Sequence, residues 1–444
     1  MKLYSIFLFI IFAIPSFSQT QIEGVLLEKG NGTPIPFANI FIKGTSLGTT
    51  SNDEGKFTLY VQSSDNNNEV VFSCIGYASK SIKIKDFTLG QIVTIYLDPV
   101  IYSLQEVTIH ASKKKSLSAD QIVANAIKNI NNNYTTAPTF LHGFYRQTHL
   151  EDKTYTKLIE AAVTVYDPGY QSELSKIKVD IDGLRRSYDA RILDKKALLA
   201  ITGIQDTKSA IQHLDRKYHS LGNFIRANPI RKSMVAESNQ LLGAVGPDFL
   251  KKHKFKLDST LLLDENLIYK IKILPNRRSE KIGKWGHDFV PIGWLYIRES
   301  DFAIVEMEYS YVANPKKEAA KLYTGTGIFF RNIIKFKDYN GKLYLNYFSS
   351  FSMDQVGTFS QMNKKMETGF SKGFFYVNKQ FLITSIQTND SRDREWNEDL
   401  YGEKIGYSKN FWDTYNILLE TNEEIQLRTD LEKKITLDEQ FKKN

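Results

Sequence analysis

Two separate stretches of this chain alternate apolar and polar side chains with a period of two, and that alternation limits the folds open to it. Neighbouring residues of a strand point to opposite faces, so such segments are half-buried β-strands. In residues 21–98 the alternation comes in short pieces cut by glycine and asparagine. "FANIFIKG" sets Phe37, Asn39 and Phe41 against Ala38, Ile40 and Ile42, and "SLGTTSNDEG" ends in the turn Asn52-Asp53-Glu54-Gly55 before "KFTLYV". "IEGVLLE", "EVVFSCIGY", "SKSIKI" and "IVTIYLDP" complete a set of about seven strands. That spacing predicts an antiparallel β-sandwich over residues 20–98.

Residues 99–117 read as a linker, with "LQEVTIHA" a candidate extra strand and "SKKKS" a charged spacer. A second domain is expected over 118–444. Ser118 and Gln121 have the spacing of a capping box, and Ile122, Ala126, Ile127 and Ile130 follow at helical intervals. "FLHGFYRQTHLEDKTYTKLIEAAVTVYD" reads as a hairpin about Glu151-Asp152-Lys153. Residues 167–250 are mixed, with a helix expected near "SAIQHLDRKYHSL". From 253 to 388, long alternating segments separated by turns such as Asp264-Glu265-Asn266 predict a meander of hairpins. The expected architecture is mainly β with some α: a sandwich, then an α+β domain with a leading helix and a long antiparallel meander, as a curved sheet or half-barrel. The 444 residues leave room for two or three cores.

The N-terminus, "MKLYSIFLFIIFAIPSFSQ", has one basic residue, Lys2, an apolar run from Leu3 to Ile14, and Ser16 and Ser18 before Gln19. This is the pattern of a secretory signal peptide over residues 1–18. Gln19, not a cysteine, stands directly after the expected cut, and no later segment is long and apolar enough for a transmembrane helix. The mature chain is expected to be exported, to the periplasm or the outer membrane. Its single cysteine, Cys74, continues an apolar strand in "VVFSCIGY" and reads as an inert thiol. The net charge is +8, yet residues 21–98 hold six Lys and no Arg against eight carboxylates. The basic excess therefore lies further along, on what reads as an ordinary solvated face.

The ordered pattern G-x-P-I-P-F-A-N-I-F-I-K-G-T-x-x-G-T-x-S-x-x-x-G-x-F, followed by V-x-F-S-x-I-G-Y, resembles the carboxypeptidase-regulatory-like domain. That family is a transthyretin-like β-sandwich of Bacteroidota envelope proteins and precedes the plug of many TonB-dependent receptors. "GFYRQT" and the closing "FWDTYNILLETNEEIQLRTDLEKKITLDEQF" resemble a Bacteroidota family carrying the same module. For that C-terminal domain the resemblance implies no activity. "GWLYIRESDFAIVEMEYS", with the leading helix, is similar to lipoprotein-carrier half-barrels, in which a curved sheet wraps a helix.

The motifs of common hydrolases are missing. The histidines are His110, His142, His149, His213, His219, His253 and His287; none begins H-x-x-E, and H-E-x-x-H does not occur. His213 and His219, six apart on one helix, fall on opposite sides of it. G-x-S-x-G, P-loop and dinucleotide fingerprints are absent as well. The acidic run Asp390, Asp393, Glu395, Glu398 and Asp399 reads as a solvated loop. The expectation is therefore a non-enzymatic envelope protein with no cofactor, no metal, no catalytic residue and no nucleic-acid partner. In it a docking sandwich accompanies a domain that binds an envelope partner or an apolar, lipid or glycan ligand. An envelope hydrolase with an unrecognised site and a small outer-membrane β-barrel are the alternatives.

Overall fold

The computed structural model describes residues 19–62, 65–88, 90–102, 117–151, 153–191, 198–199, 202–219, 221–226, 228–231, 245–276, 289–314, 328–354, 375–400 and 405–443. The expected signal peptide, "LQEVTIHA", His110 and His287 lie outside them.

Seven strands build the N-terminal module: β1 (Gln19–Glu28), β2 (Asn39–Ile42), β3 (Gly48–Thr50), β4 (Lys56–Gln62), β5 (Glu69–Ser73), β6 (Lys80–Lys83) and β7 (Ile92–Leu97). They form two sheets, β4-β1-β7 and β3-β2-β5-β6. Leu26, Ile40, Phe57, Leu59, Val70 and Phe72, all fully buried, fill the space between them. One pairing departs from the antiparallel expectation: β1 and β7 run parallel, Glu23 opposite Ile92. The first and last strands enter this sheet from the same end. The turn after β3 follows the sequence closely. Asn52 Oδ1 accepts from the amides of Glu54 and Lys56, and Gly55 takes φ +73°. A Cβ there would meet the Leu26 carbonyl at 2.4 Å, so only glycine fits.

The second domain begins with α1 (Ala119–Asn133), closed by the expected capping box: Ser118 Oγ accepts from Gln121 N, and Gln121 Oε1 accepts from Ser118 N. β9 (Thr139–Glu151) and β10 (Thr154–Asp167) form the expected hairpin. β11 (Lys178–Arg186) follows, then α2 (Thr207–His219), α3 (Gly222–Arg226) and α4 (Pro247–Lys252). The meander is β12 (His253–Leu263), β13 (Asn266–Pro275), β14 (Phe289–Arg298), β15 (Ile304–Ala313), β16 (Ile328–Tyr339), β17 (Lys342–Asp354) and β18 (Phe375–Gln387). β18 returns to pair with β9, and β8 (Ile101–Tyr102), from the expected linker, joins β12. The sheet runs β11-β10-β9-β18-β17-β16-β15-β14-β13-β12-β8. β11 and β8 are its two edges, so it does not close into a barrel, which corrects the small-barrel alternative.

Strand periodicity divides the sheet's side chains between two covers. On one face Ile159, Ala161, Val163, Ile271, Leu295 and Met307 pack beneath α1, α3 and α4. Phe224 of α3 inserts edge-on against Tyr145 and Phe348, and Tyr134 donates to the Ile304 carbonyl at 2.7 Å. Among the described residues these side chains occupy the space beneath α1 that an apolar carrier would keep open. The other face is covered by the sandwich and by the C-terminal segment, which contains α5 (Lys409–Trp412), α6 (Asn422–Leu431) and α7 (Leu437–Lys443).

The sandwich is bolted to this outer face. Asn346 Nδ2 donates to Asn39 Oδ1 at 2.7 Å, Phe37 stacks on Tyr347 at 5.1 Å, and Ser73 and Ser79 both donate to Asp264. Lys337 reaches the Ser46 carbonyl and lies over the Phe41 ring; burial lowers its ammonium to about 8. A buried charge triad ties the strands to the C-terminal cover. Glu160 of β10 accepts from Arg146 Nε of β9 at 2.7 Å and Arg185 Nε of β11 at 2.6 Å, and Arg185 lies over the Trp412 ring at 4.4 Å.

Burial alone would raise the Glu160 carboxyl, but Arg185 and Arg146 hold it down to about 2. A depressed carboxylate stabilises the fold above its unfolded pKa and loses that contribution as pH falls towards the folded one. Acid unfolding between about pH 4.5 and 2 will therefore carry a Glu160 component. Glu160→Gln will cost about 3–5 kcal/mol at neutral pH and flatten that part of the profile, as followed by circular dichroism against pH.

Candidate functional site

On the outer face, where sandwich, sheet and C-terminal segment meet, lies a cavity of about 320 Å³. The sandwich contributes Leu47 and β9 contributes His142. β18 supplies Thr384, Ser385 and Gln387, and β11 supplies Asp182. Arg392, Phe411, Thr414, Tyr415 and Asn416 come from the segment after β18.

Two irregularities in the sheet aim these groups. The β10–β11 register slips so that Ala162 faces Gly183 while Val163 faces Ile181, leaving Asp182 as the extra residue. The β18–β9 register slips between Ile383 and Ser385, leaving Thr384 extra. A bulge re-aims the side chain it inserts, and both inserted residues line the cavity. Thr384 Oγ1 donates to the His142 carbonyl at 3.1 Å. At Gly183 a Cβ would meet Phe411 at 2.7 Å, so glycine lets the C-terminal segment lie against the sheet.

A polar chain runs beneath the cavity. Thr164 Oγ1 donates to Asp182 Oδ2 at 2.6 Å, and His142 Nδ1 lies 3.0 Å from the same hydroxyl. A hydroxyl that donates to the carboxylate accepts from the ring, which places the imidazole proton on Nδ1. Nε2 then carries the lone pair and is buried, and the Gln387 side chain hydrogen-bonds the ring. Burial lowers the His142 pKa; Gln387 beside the ring opposes the shift and the Arg392 charge adds to it. Asp182 also accepts from Arg394 Nη1 at 2.9 Å, and Arg394 binds Asp180 and Asp390. Hydrogen bonds from Arg392, helped by Arg394, hold the Asp390 carboxyl far below the usual range.

The aromatic wall is equally fixed. Tyr415 stacks on Phe411 at 5.2 Å and donates to the Gly143 carbonyl at 3.0 Å, and burial raises its phenol. Asn416 Oδ1 accepts from the Tyr60 amide of the sandwich at 2.9 Å, so the cavity wall spans both modules. The arrangement offers a half-exposed guanidinium, amides, hydroxyls and a ring pair around one opening. It suits binding of a small polar molecule. Among the described residues no hydroxyl or thiol lies at hydrogen-bond distance from His142 Nε2.

Of the other histidines, His253 is buried between the Phe249 carbonyl and Tyr309, and burial lowers it to about 4. His149 is buried and accepts from Gln147, while His213 is exposed on α2. His219 closes α2. Cys74 is a half-buried thiol, pushed up to about 11 by burial. Of the acidic run, Asp393 and Glu395 are exposed in a loop as expected, while Asp390 and Glu398 are not simply solvated. Asp390 clamps Arg392 and Arg394 against β11, and Glu398 accepts from the Gly222 amide. Among the described residues no three His, Cys, Asp or Glu side chains gather as a metal site, and no helix is long and apolar enough to cross a membrane.

Residues 22–109 match the family model of the CarboxypepD_reg-like domain. The N-terminal sandwich is similar to that domain throughout. The match runs past β7 and takes in β8, the strand that joins the large sheet. TonB-dependent receptor P3 of Formosa agariphila is 31% identical over 78 residues, which are 18% of this chain and 8% of that receptor. This chain therefore spans a small part of the receptor's length. Among solved structures, a LolA superfamily protein from Nitrosomonas europaea aligns over 64% of this chain and 99% of its own, at 11% identity and a TM-score of 0.23. A lipoprotein-sorting protein domain from Vibrio parahaemolyticus aligns over 61% and 94%, at 6% identity and the same TM-score. Scores of this size carry no argument about fold or function.

In nuclear magnetic resonance titrations, the His142 ring will stay neutral below the usual histidine midpoint of about 6.5. Arg392→Gln will move its midpoint upward, because the lost charge opposes protonation. No upward movement would remove Arg392 from the electrostatics of the cavity.

Proposed function

We propose that this chain is a non-enzymatic cell-envelope protein that binds a small polar, glycan-type ligand in the cavity shared by its sandwich, sheet and C-terminal segment. The supporting observation is the cavity wall: stacked Phe411 and Tyr415, the Arg392 guanidinium and the Gln387 and Asn416 amides converge on one opening. Ring faces and bidentate donors are the groups that hold hydroxyl-rich or carboxylated sugars. The signal-peptide pattern, the regulatory-like domain match and the receptor match support export to a Bacteroidota-type envelope, with an outer-membrane component as partner. In this reading the sandwich is a fixed wall of the site as well as a docking module, since Leu47 and the Tyr60–Asn416 bond belong to it.

One observation favours a second reading. The chain His142–Thr164–Asp182 gives the imidazole a defined tautomer and an unprotonated Nε2, the state of a general base. Glycoside hydrolysis wants two carboxylates, and the cavity is lined by one, Asp182, already committed to Thr164 and Arg394.

Thermal-shift measurements against neutral and acidic mono- and disaccharides test both readings. A hit will raise the melting temperature in proportion to ln(1 + [L]/Kd). Arg392→Gln and Tyr415→Ala will each weaken it about tenfold or more, with the saccharide recovered intact by mass spectrometry. Failure of every saccharide to shift the transition overturns the glycan reading. Cleaved product, abolished by His142→Gln, establishes the hydrolase instead.

A further inference from the structure

The open half of the outer face carries a second feature, remote from the cavity. Lys256 on β12 stands opposite Lys272 on β13, and Lys272 stands opposite Trp294 on β14; Lys270 stands opposite Tyr296. Paired residues share a face, and residues two apart share it too, so Lys254 joins the same side. The intervening His253, Phe255, Ile271, Ile273, Leu295 and Ile297 are buried. Lys270 Nζ lies 4.4 Å and Lys272 Nζ 5.4 Å from the Trp294 ring centre. The sandwich meets these strands at the other end, where Ser73 and Ser79 bind Asp264 of the β12–β13 turn.

Four ammonium groups thus crowd one flat patch. Among the described residues none of the four forms an ion pair. The nearby carboxylates do not neutralise them. Glu308, opposite Trp294, is bound to Arg331, and Glu306, opposite Tyr296, is bound to Lys335. Asp258 accepts from Ser259, and one carboxylate against four lysines leaves a clear positive excess. β8 pairs with β12 only at Thr260 and Leu261, and lysines along a strand edge guard against edge-to-edge pairing, which accounts for Lys254 and Lys256. That device does not account for Lys270 and Lys272, which sit on the paired strand β13 with Trp294 between them and β15. A flat array of lysines around an amphipathic indole and phenol complements a plane of anionic headgroups, with the rings at the polar–apolar boundary.

We propose that the outer face of β12–β14, centred on Lys270, Lys272 and Trp294, is a docking surface for anionic lipid headgroups. It holds the protein against a membrane leaflet by charge and by ring insertion.

The test is co-sedimentation of the full mature chain with vesicles of phosphatidylcholine alone or mixed with phosphatidylglycerol, at about 0.1 M and about 1 M salt, where the screening length falls from roughly 10 Å to 3 Å. Binding is expected only to the mixed vesicles and only at low salt. Each lysine contributes about a fivefold factor in partitioning, so Lys270→Gln/Lys272→Gln will lose roughly 25-fold while keeping the wild-type melting temperature. Lys254→Gln/Lys256→Gln will show a comparable loss, and Trp294→Ala will bind more weakly at unchanged charge. Equal binding to neutral vesicles, no loss in either lysine pair, or full release by millimolar inorganic phosphate at constant ionic strength would each overturn the proposal. Retention on a sulfated polysaccharide without vesicle binding overturns it too, and assigns the patch to a polymer.

Discussion

A broad open antiparallel sheet has two faces and two edges, and this molecule is organised around covering them. A closed barrel removes its edges and fills its inside with its own side chains, but an open sheet of this width needs two covers. The chain supplies one from α1, α3 and α4. It makes the other from two unrelated pieces, the N-terminal sandwich and the C-terminal segment after β18. The cavity lies on their seam. It is a consequence of covering one face with two bodies that come from opposite ends of the sequence.

Both covers are anchored by buried charges. On the inner side an apolar core lies beneath α1, with Arg231 bound to Asp167 and Lys157 to Asp215 beside it. On the outer face, polar groups of the sandwich meet polar groups of the sheet, and buried guanidinium–carboxylate sets stand where the C-terminal segment lies down. The Arg146–Glu160–Arg185 triad and the Arg394–Asp180–Asp182 cluster do little for net stability compared with well-packed apolar groups. The triad demands one register between β9, β10 and β11 and one resting place for Trp412, and the Arg394 cluster fixes the 390–399 segment on β11. Such charges select an arrangement, and that selection positions Arg392, Phe411 and Tyr415 over His142.

Local signals were readable in the sequence and distant ones were not. The capping box at Ser118, the turn at Asn52–Gly55, the Glu151–Lys153 hairpin and the β12–β18 meander follow from spacing over a few residues, as did the sandwich. The parallel β1–β7 pair and the return of β18 to β9 depend on residues far apart in the chain, which alternation does not rank. The cavity depends on register slips that alternation does not show, and the one in β9–β10 hides the link beneath it. Counting back evenly from the hairpin turn sets His142 opposite Val163, an inner-face residue. The irregularity between Tyr155 and Lys157 replaces it with Thr164, which completes the link to Asp182. Asp390 reads as a loop residue because the link it makes to β11 runs through Arg394, whose partners Asp180 and Asp182 lie some two hundred positions earlier.

The pairing of β18 with β9 also sets an order of events for a chain that emerges from its N-terminus. The sandwich and the β9–β10–β11 unit can pair as soon as they appear, since their contacts are close in sequence. The β12–β17 hairpins can zip in turn behind them. The centre of the sheet stays unjoined until Phe375–Gln387 arrives to stitch Glu151 and its neighbours to β17, and the seam-forming segment comes later still. Two half-sheets with unpaired inner edges must coexist until β18 has been made, a slow step set by topology. A chain cut before β18 would leave both halves with open, sticky edges.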